Sequence, residues 1–123
     1  MTKRILVVED QPDNRRILRD LLSTMGYDLT EVENGALGVE SALTEPPDLI
    51  LMDIQMPVMD GYEATRRIKA DPRGAAIPII AVTSFALSGD EAKAREAGCD
   101  DYVAKPYSPR EMLAKVVECV GPA

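Results

Sequence analysis

The sequence predicts an α/β fold in which strand and helix alternate five times around one parallel sheet. Three observations carry that expectation. Five apolar strand candidates alternate with five segments whose apolar residues recur at helical spacing. Proline, glycine and capping residues fall between the two kinds of segment, where they end one element and open the next. The run Leu49 to Met52 shows no alternation, as expected of a strand buried on both faces of a parallel sheet. Repeated βα units demand helices on both faces of that sheet.

In chain order, strand one is Ile5 to Val8, ending in Glu9-Asp10. Pro12 suits the first turn of helix one, in which Leu18, Leu21, Leu22 and Met25 form the inward stripe. Gly26 is its C-cap residue. Strand two is Asp28 to Val32. Asn34 caps a helix from about Gly35 to Thr44, with Val39, Ala42 and Leu43 facing in. Pro46-Pro47 ends it and leads into strand three, which stops at Asp53. Pro57 and Asp60-Gly61 then break the chain, and Asp60 with Glu63 forms a capping pair for a helix to about Ala70.

Asp71 to Gly74 is a loop, and Pro78, lacking a donor, belongs at the start of strand four, Ile79 to Thr83. Ser88 with Glu91 is a capping box for helix four, which runs to Ala97 before Gly98. Strand five is Asp101 to Ala104. Ser108, Pro109 and Glu111 open helix five, whose buried stripe is Met112, Leu113, Val116, Val117 and Val120, with Gly121 at its end.

The 123 residues suffice for one domain burying about two-thirds of its unfolded surface. No linker or low-complexity tract interrupts them, so we expect a single domain over residues 1–123 with no effector domain. Fourteen basic residues against 21 acidic ones leave a formal charge of -7, which argues against nucleic-acid or anionic-membrane binding. Two cysteines and no histidine exclude the usual zinc constellations and any histidine-based triad. With so few thiols and no apolar stretch of membrane length, we expect a cytoplasmic protein.

In a parallel sheet the C-terminal strand ends share one rim, where open α/β sheets place their chemistry. Four sets of polar side chains stand at those ends: Glu9-Asp10, Asp53, Thr83 and Lys105. Each alone has an ordinary explanation, as a solvated turn, a β-former or a surface lysine. Independent surface residues have no reason to converge on one rim. Two carboxylates about 4 Å apart repel by about 1 kcal/mol in water and about 4 kcal/mol at an effective dielectric of 20. Three acids held together therefore call for a cation. Oxygen ligands in an incomplete cage suit Mg²⁺. Asp53 can then attack phosphorus while Lys105 and the cation neutralise charge on the transferring group and Thr83 donates a hydrogen bond to it.

Four motifs now give a resemblance: Val7-Val8-Glu9-Asp10, Leu51 to Gly61, Val82-Thr83-Ser84 and Val103-Ala104-Lys105-Pro106. In this order and spacing the chain resembles the receiver domains of two-component response regulators, over essentially all residues. The resemblance implies a flavodoxin-like (βα)5 fold with strand order 2-1-3-4-5. It implies that Asp53 is the phosphoacceptor, taking its group from a phosphohistidine on a histidine kinase or phosphotransfer protein. Asp10, Asp53 and the backbone carbonyl of Gln55 would bind Mg²⁺, with Glu9 acting through water; many members have aspartate where Glu9 stands. Thr83 and Tyr102 would form the switch, and a cis Lys105-Pro106 bond is implied too. The readout would be the face made by helix four, strand five and helix five (α4-β5-α5). The chain would be a phosphoacceptor that dephosphorylates itself rather than a turnover enzyme, and a monomer or weak dimer.

Ile17 falls beside the helix one stripe, flanked by Asn14, Arg15 and Arg16, and is the candidate docking knob for a partner helix. Within the family, Thr83 to Glu91 and Gly98-Cys99 look most like single-domain regulators of the DivK type and receivers attached to hybrid kinases; chemotaxis regulators resemble them less. Phe85 would shield the acyl phosphate from water. Three rivals remain at this point. An aspartate-nucleophile phosphatase or dehalogenase would place its nucleophile on strand one with a second Asp two residues on, where this chain has Gln55 after Asp53. A flavin carrier is disfavoured by the acidic first turn, which lacks a glycine-rich cradle. A pseudo-receiver scaffold would be expected to lose part of the acid, Thr or Lys set.

Overall fold

The computed structural model describes residues 2–56, 58–83 and 90–122. Its elements run β1 (Arg4–Val8), α1 (Pro12–Thr24), β2 (Asp28–Val32), α2 (Gly35–Thr44), β3 (Leu49–Asp53), α3 (Gly61–Ala70), β4 (Ile79–Thr83), α4 (Asp90–Ala97), β5 (Asp101–Ala104) and α5 (Pro109–Val120). All strand pairs are parallel, and the sheet order is β2-β1-β3-β4-β5. The expected flavodoxin-like (βα)5 architecture is therefore the observed one. The Ser88 capping box, Phe85 and Pro57 lie outside the described residues.

Local chemistry explains the element boundaries. The Asn34, Asp60 and Ser108 side chains each accept a hydrogen bond from the backbone N–H three residues on, at Leu37, Glu63 and Glu111. Pro12 and Pro109 open helices whose first turn has no use for their missing donors. Gly26 ends α1 at a φ of 91°, a left-handed conformation that glycine adopts without a Cβ clash.

Alternate strand residues supply two cores, one on each sheet face. Ile5, Val7, Leu49, Leu51, Ile80 and Val82 pack with Leu18 and Leu22 of α1 and Met112 and Val116 of α5. Leu6, Val8, Ile50, Met52 and Ile79 pack on the other face with Ala42 of α2, Ala64 and Ile68 of α3 and Ala94 of α4. β3 is buried at all five positions, Asp53 included. Two assignments to inward stripes need correction. Met25 is 47% exposed because α1 ends at Thr24 and the chain turns away, and Val117 is 40% exposed on the outer side of α5.

One close contact fixes the exit from β3. The Gly61 N–H donates to the Ile54 carbonyl at 2.9 Å, so α3 starts directly against the end of β3. A Cβ on Gly61 would collide with the Asp53 carbonyl oxygen and stand 2.8 Å from the Ile54 Cα. Helix propensity favours Gly61→Ala by about 1 kcal/mol. The clash with backbone outweighs it, and we expect a net loss above about 2 kcal/mol in urea unfolding. A gain in stability would show that this junction has room to move.

Candidate functional site

The site lies across the C-terminal ends of β1, β3, β4 and β5. Glu9 and Asp53 are 2% and 4% exposed and Thr83 1%, all three at or just past strand ends. Asp10 is half-buried beside them. Glu9, Asp10 and Asp53 offer carboxylate oxygens that all lie within 4.8 Å of one another. Lys105 enters from the far side. Its N–H donates to the Thr83 carbonyl at 2.6 Å, which ties the end of β5 to β4. Its ammonium then crosses the end of the sheet to Glu9 Oε1 at 2.9 Å and stands 3.9 Å from Asp53 Oδ1. The Lys105-Pro106 peptide bond is cis.

Sequence reasoning aims Lys105 at the phosphorylated group alone; the structure gives its shortest contact to Glu9. The reason is charge. Glu9 is the most deeply buried acid of the three, and a buried carboxylate without a partner is costly. Its second oxygen accepts the Gln11 N–H at 3.1 Å. Burial works to raise the Glu9 carboxyl, but the hydrogen bonds with Lys105, Asp53 and Gln11, with the Lys105 charge, hold it below the ordinary value.

Asp53 moves the other way. Burial, then the hydrogen bond and negative charge of Glu9, push it up to about 8, against weaker help from Lys105 and the Gln55 N–H. That N–H lies 3.2 Å from Asp53 Oδ1, placing Gln55 in the loop directly after the acid. One lysine thus serves two buried carboxylates, and the second keeps its proton near neutral pH. Burial and the Glu9 charge also push the nearby Tyr107 hydroxyl up to about 12.

Three oxygen donors with too little positive charge fit a hard divalent cation and leave positions for further oxygen ligands. No thiol or imidazole competes, since Cys99 lies elsewhere in the core and the chain has no histidine. Tyr102 is half-buried on β5 and packs against the core that holds Ile54 and Ala94. Asn14 and Ile17 line a groove of about 440 Å³ with Lys105, Pro106 and Tyr107, beside the acids rather than remote from them. Ile17 is 55% exposed there.

Arg15 is a residue whose part sequence reasoning missed. Read from the sequence only as a flank of Ile17, it donates from its guanidinium to the Glu9 carbonyl at 2.8 Å and the Asp10 carbonyl at 3.1 Å. It buttresses the turn that carries both acids and stands 3.9 Å from Glu31 on β2. No local pattern signals this, because the carbonyls it satisfies are chosen by how α1 folds back over β1.

The Asp53 carboxyl binds its proton more tightly folded than unfolded, so its contribution to stability is full below about pH 4. It is lost as pH rises through about 8. Without a divalent cation, Asp53→Asn should therefore exceed wild type in stability by a margin that grows over that window. We expect at least about 2 kcal/mol at pH 8, read by urea unfolding. Mg²⁺ should narrow the gap. Parallel stability curves for the two proteins from pH 4 to 8 would show that Asp53 ionises without penalty.

Comparison with known proteins agrees with this geometry. A model of the response regulator receiver domain matches residues 5–117. Over 123 residues, all of both chains, the sequence is 40% identical to the polar-differentiation response regulator DivK of Brucella ovis. A crystal structure of the receiver domain of a Pseudomonas aeruginosa sensor histidine kinase is similar at a TM-score of 0.92 and 41% identity, covering 98% of this chain and 99% of that one. A magnesium ion is coordinated in that protein's active site cleft. A chemotaxis response regulator of Vibrio cholerae shares the fold at a TM-score of 0.91 with only 22% identity, over 97% of this chain and 99% of its own. The greater likeness to DivK and to a sensor-kinase receiver follows the order expected from the motifs. Sheet order, strand-end acids and full-length sequence similarity lead to one conclusion: the chain belongs to the response regulator receiver domain family of two-component signalling.

Proposed function

We propose that the chain acts as a stand-alone receiver in a two-component phosphorelay, with Asp53 as its phosphoacceptor. The observation that carries this reading is the pairing of a buried Asp53 with Lys105 at 3.9 Å, beside two further acids that need a cation. An Asp53 oxygen attacks the phosphorus of a phosphohistidine; the new O–P bond forms as the P–N bond breaks, and the imidazole nitrogen leaves with its electron pair. When bound, Mg²⁺ neutralises the acid cluster, lets Asp53 ionise and screens the charge of the transferring group.

Asp10, Asp53 and the Gln55 carbonyl are the direct ligands in this reading, and Glu9 acts through water because its own oxygens already serve Lys105 and Gln11. Lys105 holds the phosphoryl oxygens by charge, and Thr83 by its hydroxyl. Water later attacks the same phosphorus; the Asp53 O–P bond breaks as the new one forms, inorganic phosphate leaves and Asp53 returns to a carboxylate, so the protein turns over no separate substrate. The phosphodonor docks at the groove lined by Asn14 and Ile17, which opens onto Lys105. Movement of Thr83 toward the phosphoryl group lets Tyr102 turn inward, and the α4-β5-α5 face carries the change to a protein target. Among the described residues no helix is long and apolar enough to cross a membrane.

The test is incubation with a small acyl phosphate, with and without Mg²⁺, followed by intact-mass analysis. Wild type should gain a single phosphoryl adduct that needs Mg²⁺ and is absent from Asp53→Asn. A folded wild type that gains no adduct would sink the phosphoacceptor reading and leave a scaffold.

A further inference from the structure

Two carbonyls in the turn after β1 fall between one backbone ladder and the next. β1 ends at Val8, and the Glu9 N–H still donates to the Val32 carbonyl beside β1 at 3.1 Å. Gln11, the cap residue of α1, gives its own carbonyl to the Arg15 N–H at 3.0 Å. The Glu9 and Asp10 carbonyls belong to neither set. Among the described residues no backbone N–H reaches them, and a single nitrogen of Arg15, Nη1, takes both. A backbone acceptor left without a partner is costly, so this one side chain completes the turn.

The guanidinium is itself held in place from β2. Arg19, one helical turn beyond Arg15, donates to both oxygens of Glu31 at 2.6 and 2.7 Å. Glu31 then stands 3.9 Å from the Arg15 Nε. One side of the guanidinium therefore meets the acidic turn while the other meets an anion fixed on the edge strand.

We propose that Arg15 is a positioning residue for the metal site, setting Mg²⁺ affinity by fixing the backbone of Glu9 and Asp10 rather than by its charge. The inference rests on the reading of the acid cluster as a Mg²⁺ site. Charge and positioning predict opposite signs. A guanidinium near the acids repels a divalent cation, so by charge alone its removal would tighten binding. By position its removal loosens the turn, and the ligands must then be ordered at the moment of binding. Positioning is the larger effect. Partners that orient metal ligands are worth roughly ten- to a hundredfold in affinity, and the Glu31 carboxylate offsets the guanidinium charge.

The test is a titration of Mg²⁺ into the full chain without any phosphodonor, followed by the amide signals of Asp10 and Gln11. Arg15→Met keeps a long apolar stem and removes both donated bonds, and Mg²⁺ affinity should fall at least about tenfold. Arg15→Lys keeps the charge without the guanidinium fork, so its affinity should lie between those of wild type and Arg15→Met. With a small acyl phosphate, the Mg²⁺ concentration giving half the limiting rate should rise by the same factor in Arg15→Met. The limiting rate itself should stay within about twofold of wild type. Circular dichroism checks that each variant is folded. Should Arg15→Met not fold, Arg15→Lys decides, because charge alone predicts no change in it.

Mg²⁺ binding that is unchanged or tighter in Arg15→Met overturns the proposal and leaves Arg15 a packing residue. A fall in the limiting rate with an unchanged Mg²⁺ dependence overturns it too. A wild type that binds no Mg²⁺ overturns the metal site itself, and this proposal with it.

Discussion

Everything at this sheet end depends on one shortage: Glu9 and Asp53 are both buried, and among the described residues Lys105 is the cation that reaches them. The ammonium closes on Glu9 at 2.9 Å and leaves Asp53 at 3.9 Å. The unequal split pushes the two carboxyls in opposite directions, Glu9 down and Asp53 up. A receiver needs such an imbalance. An acid already saturated by a lysine would be a poor ligand and a poor nucleophile, whereas a strained one gains when a cation and then a phosphoryl group arrive.

The apolar sheet makes the imbalance durable. β3 is buried along its whole length, with packed cores above and below, so the backbone that carries Asp53 is held in place. The Gly61 N–H holds the exit loop against β3, and Arg15 holds the acidic turn after β1 by its carbonyls. Backbone contacts thus fix the acids, and their side chains are left for a ligand. The same rigid frame separates the surfaces around it. The groove at Ile17 opens onto Lys105, while Val117 is exposed on the outer side of α5.

The alternation of strands and helices, and most of their boundaries, were legible in the sequence. The signals there are local: Asn34, Asp60 and Ser108 cap the helices that come after them, and the apolar run before Asp53 admits only a buried strand. The convergence of Glu9, Asp10, Asp53, Thr83 and Lys105 was legible for a different reason. Parallel strands place all their C-terminal ends on one rim, so topology alone brings strand-end residues together.

What the tertiary structure alone decided is how those residues divide their contacts. Periodicity assigns Met25 and Val117 to inward stripes, but where a helix stops and how it rolls on its sheet depends on distant neighbours. Val58 sits at a φ of 72°, a left-handed conformation that its β-branched side chain does not favour. Lys105 prefers Glu9, 96 residues away, and Arg15 reaches two carbonyls of the turn after β1. Local propensity is a property of neighbouring residues and can be read from their order. The sharing of one cation between two buried acids depends on distances across the sheet end, and only the folded chain sets those.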